Sequence, residues 1–140
     1  MKRAIIIGAS SGIGKGIALE LLKKNYKIAI SARRKERLEE IRSLNPENVI
    51  IKVFDSSTEK NDMLLSDLVN KLGGLDMLIY SSGIGILNKE LDYNIEKKVN
   101  NLNVSGFTQA VDWGFNYFLK QNYGHIVNIS SIASEIGNGI

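Results

Sequence analysis

The feature that most restricts the fold stands at the start of the chain. The apolar run Ala4-Ile5-Ile6-Ile7 meets the loop Gly8-Ala9-Ser10-Ser11-Gly12-Ile13-Gly14 with no polar turn between them. An apolar helical face then begins at once, carried by Ile13, Ile17, Ala18, Leu21 and Leu22. Four consecutive apolar residues lack the alternation of a half-exposed strand, so this strand is covered on both faces. A strand that leaves through glycines and re-enters as a helix aims the helix N-terminus at the strand's C-terminal end. That N-terminus carries unpaired N–H groups and the positive end of the helix dipole. Glycines let a phosphate come close to those groups.

The same alternation continues. Strands are expected at residues 4–7, 27–32, 49–54, 75–80 and 125–130, and a charged amphipathic helix at 35–44, stopped by Asn45-Pro46. Thr58 is a plausible N-cap for a helix over 58–72, which Gly73-Gly74 ends. Residues 81–88 form a second glycine-bearing loop. Residues 95–121 carry one long apolar face from Val99 and Leu102 to Phe115 and Phe118, and residues 131–140 are loop-like. Strands separated by helices imply right-handed crossovers and a doubly wound parallel α/β sheet.

Composition narrows the possibilities. A chain of 140 residues, 44% apolar and 24% charged, is expected to be one globular domain, 1–140. It has no cysteine, so it has neither a disulfide framework nor a cysteine zinc site, which fits the reducing cytoplasm. The net charge of +3 is not gathered into a nucleic-acid stripe; the densest run, Arg33-Arg34-Lys35-Glu36-Arg37, heads a helix. The apolar start is too short for a signal peptide, and no run approaches the ~20 residues of a membrane span. His125 is the only histidine and has no partner ligand in the sequence, so no metal site is expected.

Two nucleotide-loop spacings fail. A P-loop ending at Gly14-Lys15 would need glycine at Ala9 and a hydroxyl at Gly16. The fingerprint G-x-G-x-x-G, begun at Gly12, would need glycine at Ile17. What stands is Gly8-x-x-x-Gly12-x-Gly14, a spacing that still serves a pyrophosphate in this strand-loop-helix setting.

That loop, GASSGIGKGIA, resembles the cofactor loop of the short-chain dehydrogenase/reductase family, T-G-x-x-x-G-[IL]-G, with Ile7 in place of the threonine. LDMLIYSSGIG is similar to the family's D-x-L-V-N-N-A-G, LNVSGF to N-[LV]-[ST]-G, and GHIVNISS to G-x-I-V-N-[IV]-S-S. The four motifs occur in order on matching elements. The resemblance implies a Rossmann-like sheet with strand order 3-2-1-4-5, incomplete at its C-terminus relative to the family. It also implies hydride transfer between a nicotinamide and a carbonyl or alcohol substrate. Homo-oligomers, dimers or tetramers, are expected for a full-length parent, with Trp113, Phe115 and Phe118 as core or subunit interface.

The cofactor is expected to be NADP(H) rather than NAD(H). The second strand ends in Arg33-Arg34, and no carboxylate follows until Glu36 to grip a ribose 2′-hydroxyl. An arginine fork suits a 2′-phosphate, and Ser10 or Ser11 adds a hydroxyl. Arg33 also lies where the family's NADP-preferring members place their arginine. With Gly8, Gly12, Ile13 and Gly14, the expected cofactor contacts include Asp55 and Ser56 near the adenine, and Ser82 and Gly83 after the fourth strand. Tyr80-Ser81-Ser82 stands where the family has N-N-A, so the local hydrogen bonds are expected to differ.

The resemblance assigns Asn103 to a proton relay and Ser131 to the substrate oxygen. It puts the family's proton-donor tyrosine near position 144 and its lysine near 148. None of the five tyrosines present begins Y-x-x-x-K. The chain therefore reads as the front portion of a dehydrogenase, inactive on its own. The rival reading is a non-catalytic dinucleotide-binding or regulatory domain.

Overall fold

A computed structural model describes residues 1–58 and 60–136. β1 (Arg3–Ile7), α1 (Gly12–Lys23), β2 (Lys27–Ala32), α2 (Lys35–Leu44), β3 (Val49–Val53), α3 (Asn61–Leu72) and β4 (Met77–Tyr80) alternate along the chain. α4 (Tyr93–Asn100) then passes through a π-helical stretch, Asn101–Gly106, into α5 (Phe107–Gln121), and β5 (His125–Asn128) follows. A 3-10 turn, Ile132–Ser134, lies beyond β5. The five strands form one parallel sheet in the order β3-β2-β1-β4-β5, the doubly wound arrangement expected.

Both faces of the sheet are covered, which explains the unbroken apolar strands. Alternate β1 side chains go to opposite sides. Ile5 and Ile7 pack with Leu65, Leu68 and Leu72 of α3 and Phe118 of α5. Ala4 and Ile6 pack with Ala18 of α1 and Leu38 and Ile41 of α2. Of the aromatics on α5, Phe118 is core, Trp113 stacks on Tyr117 at 5.1 Å, and Phe115 is exposed.

Several expectations are corrected. The third helix begins at Asn61 with Lys60 as N-cap, not at Thr58. Residues 56–58 instead form a turn, with Ser57 donating to the Asp55 carboxylate and the Thr58 N–H to the Asp55 carbonyl. The helix expected over 95–121 begins at Tyr93 and widens to π geometry at Asn101–Gly106, where Asn, Val, Ser and Gly form helix poorly. The tail expected as loop contains the 3-10 turn; its residues 137–140 lie outside the described residues. The third and fifth strands end earlier than expected, at Val53 and Asn128, and the fourth starts later, at Met77.

The far end of the sheet is tied by one ion pair. Arg3 donates its backbone N–H (2.7 Å) and its Nε (3.1 Å) to Asp76 Oδ2, and its guanidinium also reaches the Gly73 carbonyl. Burial pushes the Asp76 carboxyl up, but these Arg3 hydrogen bonds and charge outweigh it and hold the group below its ordinary value. A carboxyl lowered on folding contributes stability above its unfolded value of ~3.9 and loses it as pH falls through the folded one. Asp76→Asn should therefore melt below the parent protein at pH 7, with the gap closing below about pH 4. Thermal melts from pH 7 to 3 check this; a constant gap would show that the pair's charge is not involved.

Candidate functional site

The site lies at the C-terminal ends of β1, β2, β3 and β4, where the strand order reverses direction around β1 and β4. Ligands bind doubly wound sheets at such a switch point. The loop after β1 is anchored by two N–H groups, those of Gly8 (2.8 Å) and Ala9 (3.2 Å), on the Ser31 carbonyl of β2. On the other side the Ser81 N–H donates to the Ile7 carbonyl at 2.8 Å. Gly8 adopts φ +91°, and a Cβ there would stand 2.6 Å from both the backbone nitrogen and Oγ of Ser82. A Cβ on Gly14 would strike the Gly8 carbonyl. These two glycines let the β1 exit, α1 and the β4 exit converge.

The convergence leaves a cavity of about 300 Å3. Gly8, Ser10, Ser11, Gly12 and Ile13 form one wall, and Arg33 and Arg34 a second. Asp55 and Ser56 close it from β3, and Ser82 and Gly83 from β4. Every cofactor contact expected from sequence thus lines this cavity except Gly14, which lies buried beneath the loop. Sequence reasoning missed Ser81, which also lines it. Its Oγ would be 3.1 Å from a Cβ on Gly14, so Ser81 adds to the crowding that keeps Gly14 without a side chain.

Electrostatics divides the two arginines. Arg34 Nη2 donates to Ser10 Oγ (3.1 Å) and Ser11 Oγ (3.0 Å), spanning the mouth of the glycine loop. The first turn of α1 holds no acidic side chain, so nothing opposes an anion there. Arg33 acts on Asp55 instead. Burial raises the Asp55 carboxyl, yet the Ser57 hydroxyl (2.6 Å) and N–H (2.9 Å), with the charges of Arg33 and Lys98, hold it below the ordinary range. Ser57 was also missed; an Asp followed two residues later by Ser is the signal that finds such a turn.

A second cavity of about 700 Å3 shares Ser82, Gly83, Ile84 and Ile129 with the first, so the two adjoin. It holds Asn103 and Ser131, the two residues assigned to the chemistry by resemblance, and among the described residues no charged side chain lines it. Asn103 is locked at both ends: its Oδ1 accepts from the Ile84 N–H (2.9 Å) and its Nδ2 donates to the Ile84 carbonyl (2.7 Å). Ser131 Oγ accepts from the Ala133 N–H at 3.2 Å, which leaves its own proton free to donate. Tyr80 also borders this cavity, but its hydroxyl donates to the Leu102 carbonyl at 2.9 Å. Burial, with some help from the Asp55 charge, pushes that hydroxyl up to about 12.

No described residues form a cluster of three His, Asp or Glu side chains able to hold a metal, and no helix is long and apolar enough to cross a membrane.

Known proteins share this arrangement. An uncharacterized oxidoreductase of Staphylococcus epidermidis is 31% identical over 135 residues, covering 94% of this chain and 59% of the relative. The 3-oxoacyl-[acyl-carrier-protein] reductase FabG of Staphylococcus aureus is 29% identical over 147 residues, covering 98% of this chain and 58% of the reductase. Among solved structures, ElxO with NADP bound superposes with a TM-score of 0.87 at 30% identity, covering 98% of this chain and 58% of ElxO. The chain thus spans less than two-thirds of the length of these relatives. The model of the short chain dehydrogenase family matches residues 2–139, and with the glycine-loop cavity at the switch point this establishes that the chain belongs to that family.

Proposed function

We propose that this chain supplies the NADP(H)-binding part of an oxidoreductase acting on neutral carbonyl or alcohol substrates. The observation that carries the reading is the Arg34 fork across Ser10 and Ser11, with no carboxylate at the end of β2. ElxO, the similar structure, is solved with NADP. A relative of similar identity is named a 3-oxoacyl-[acyl-carrier-protein] reductase.

The residues divide the work as follows. The N–H groups of the glycine loop and the first turn of α1 hold the pyrophosphate. Arg34, Ser10 and Ser11 take the 2′-phosphate, and Asp55, kept ionised, accepts from the adenine side. When bound, the nicotinamide supplies the hydride chemistry. Ser131 donates to the substrate oxygen and so favours charge developing there. Asn103 has one amide hydrogen left beyond its Ile84 bonds, which serves a solvent relay for the proton. These residues do not include the family's tyrosine proton donor, which a longer chain would have to supply. Among the described residues no charged side chain lines the second cavity, so none is placed there to pair with a carboxylate or phosphate beside the reacting carbon.

Titration with NADPH and NADH, followed by cofactor fluorescence, tests the reading. NADPH should bind at least about tenfold tighter, with no turnover of a ketone panel by these 140 residues alone. A longer parent chain should oxidise NADPH with neutral ketones in preference to 2-oxo acids. Equal affinity for the two cofactors would overturn the NADP(H) assignment. Binding without turnover in that parent would favour a dinucleotide-sensing domain.

A further inference from the structure

We propose that Tyr80 is a positioning residue for Asn103, acting through the hydrogen bond from its hydroxyl to the Leu102 carbonyl in the π-helical turn. The inference rests on the reading of Asn103 as a relay group. Tyr80 stands where the family motif has asparagine, and a tyrosine on a β4 end reaches farther than an asparagine does.

The geometry assembles from β4 outward. Tyr80 is the last residue of β4 and is 3% exposed. Phe107 packs edge-on against its ring, with centroids 5.6 Å apart. The hydroxyl meets the helix inside the one stretch where the helix is widened, Asn101–Gly106. Wide turns of this kind are rare and gather at functional sites. A buried hydroxyl without a partner is costly, as is a buried carbonyl, so the Tyr80–Leu102 bond satisfies two groups at once.

Gly106 makes the approach possible. A Cβ there would stand 3.0 Å from the Tyr80 hydroxyl and would overlap the Ser56 carbonyl. The widened turn is thus pressed against the exits of both β3 and β4. Asn103 is the residue after Leu102, and its amide spans the Ile84 N–H and carbonyl. Ile84 lines both cavities. The chain of bonds therefore runs from Tyr80 to Leu102, along one peptide to Asn103, and across to the wall shared by the two cavities. This also assigns Tyr80 away from proton donation: its proton is committed to a backbone carbonyl.

The test reads the lock itself. Hydrogen exchange of the Ile84 amide and of the Asn103 side-chain amide is followed by NMR in the 15N-labelled 140-residue chain. Tyr80→Phe should speed exchange at both by about tenfold or more, while β1 and β2 amides keep their protection. Phe107→Leu, which keeps the hydroxyl, should leave the lock in place. Unchanged exchange in Tyr80→Phe would overturn the proposal, as would a loss of protection spread over the whole sheet. Equal loosening by Phe107→Leu would assign the effect to aromatic packing and overturn it too. NADPH titration of the parent protein is scored separately, so a failure of the cofactor reading leaves the exchange result standing.

Discussion

Gly14→Ala is expected to weaken NADPH binding strongly while Gly16→Ala, two residues along the same helix, leaves it intact. A Cβ at Gly14 strikes the Gly8 carbonyl, whereas a Cβ at Gly16 meets nothing within 4 Å. The obstacle at Gly14 is backbone, so no side chain can rotate away. Either α1 lifts off the end of β1 or the β1 exit is pushed toward Ser82, and both moves widen the pocket that cradles the pyrophosphate. Overpacking of this kind costs roughly 2–3 kcal/mol. Displacing the binding groups by about an ångström weakens their aim, and a loss of about 100-fold in affinity is the expected size. Gly16 is exposed within a helix, where alanine is favoured by about 0.5–1 kcal/mol. Its variant should melt slightly higher than the parent. Thermal melts and NADPH titrations of the two variants decide the matter. Parent-like binding by Gly14→Ala would show that the loop does not hold the pyrophosphate.

Arg34→Ala is expected to lower NADPH affinity by about 10–100-fold and to change NADH affinity by less than about threefold, because a charge-assisted bond to phosphate is worth about 1.5–3 kcal/mol. The guanidinium already sits on the hydroxyls of Ser10 and Ser11, so little reorganisation is needed to receive an anion. Arg33→Ala should cost less, because Arg33 also serves the Asp55 charge. Parallel titrations with the two cofactors separate the possibilities. Equal losses for NADPH and NADH would mean that Arg34 supports the loop's shape and does not read the 2′-phosphate.

What was legible in the sequence was what short-range chemistry decides. Residues 27–32 and 35–44 were read to the residue, because an apolar run, a charged amphipathic stretch and a proline mark them without help from elsewhere. The strand order came from the family resemblance, and the pairing of β1 with both β2 and β4 agrees with it. The start of α3 was misplaced because Thr58 looks like a cap locally but lies in a turn that Ser57 and Asp55 close first. The widened turn at Asn101–Gly106 left no periodic signal, since Val99 and Phe107 keep the apolar face on either side of it and Leu102 within it. Its Leu102 carbonyl is met by a hydroxyl from a strand more than twenty residues away, at Tyr80, a contact no local pattern announces. Most of the lining of the glycine-loop cavity was named from the sequence, but not Ser81, which meets Gly14 only across space. Nor was it legible that Arg34, and not Arg33, bridges the serines.

The central place of β1 also has a consequence in time. Its partners are reached at very different separations: Ala4 pairs with Ile28 in β2 but also with Met77 in β4. The second pairing closes a loop of about seventy residues, a non-local contact of the kind that slows folding. The Ser81–Ile7 bond that braces the glycine loop belongs to that late closure. A nascent chain therefore has no finished nucleotide cradle until β4 has left the ribosome and docked, although every glycine of the loop was made among the first fourteen residues. NADPH added during refolding should leave the early collapse unchanged and act only on the species formed after β4 has joined the sheet.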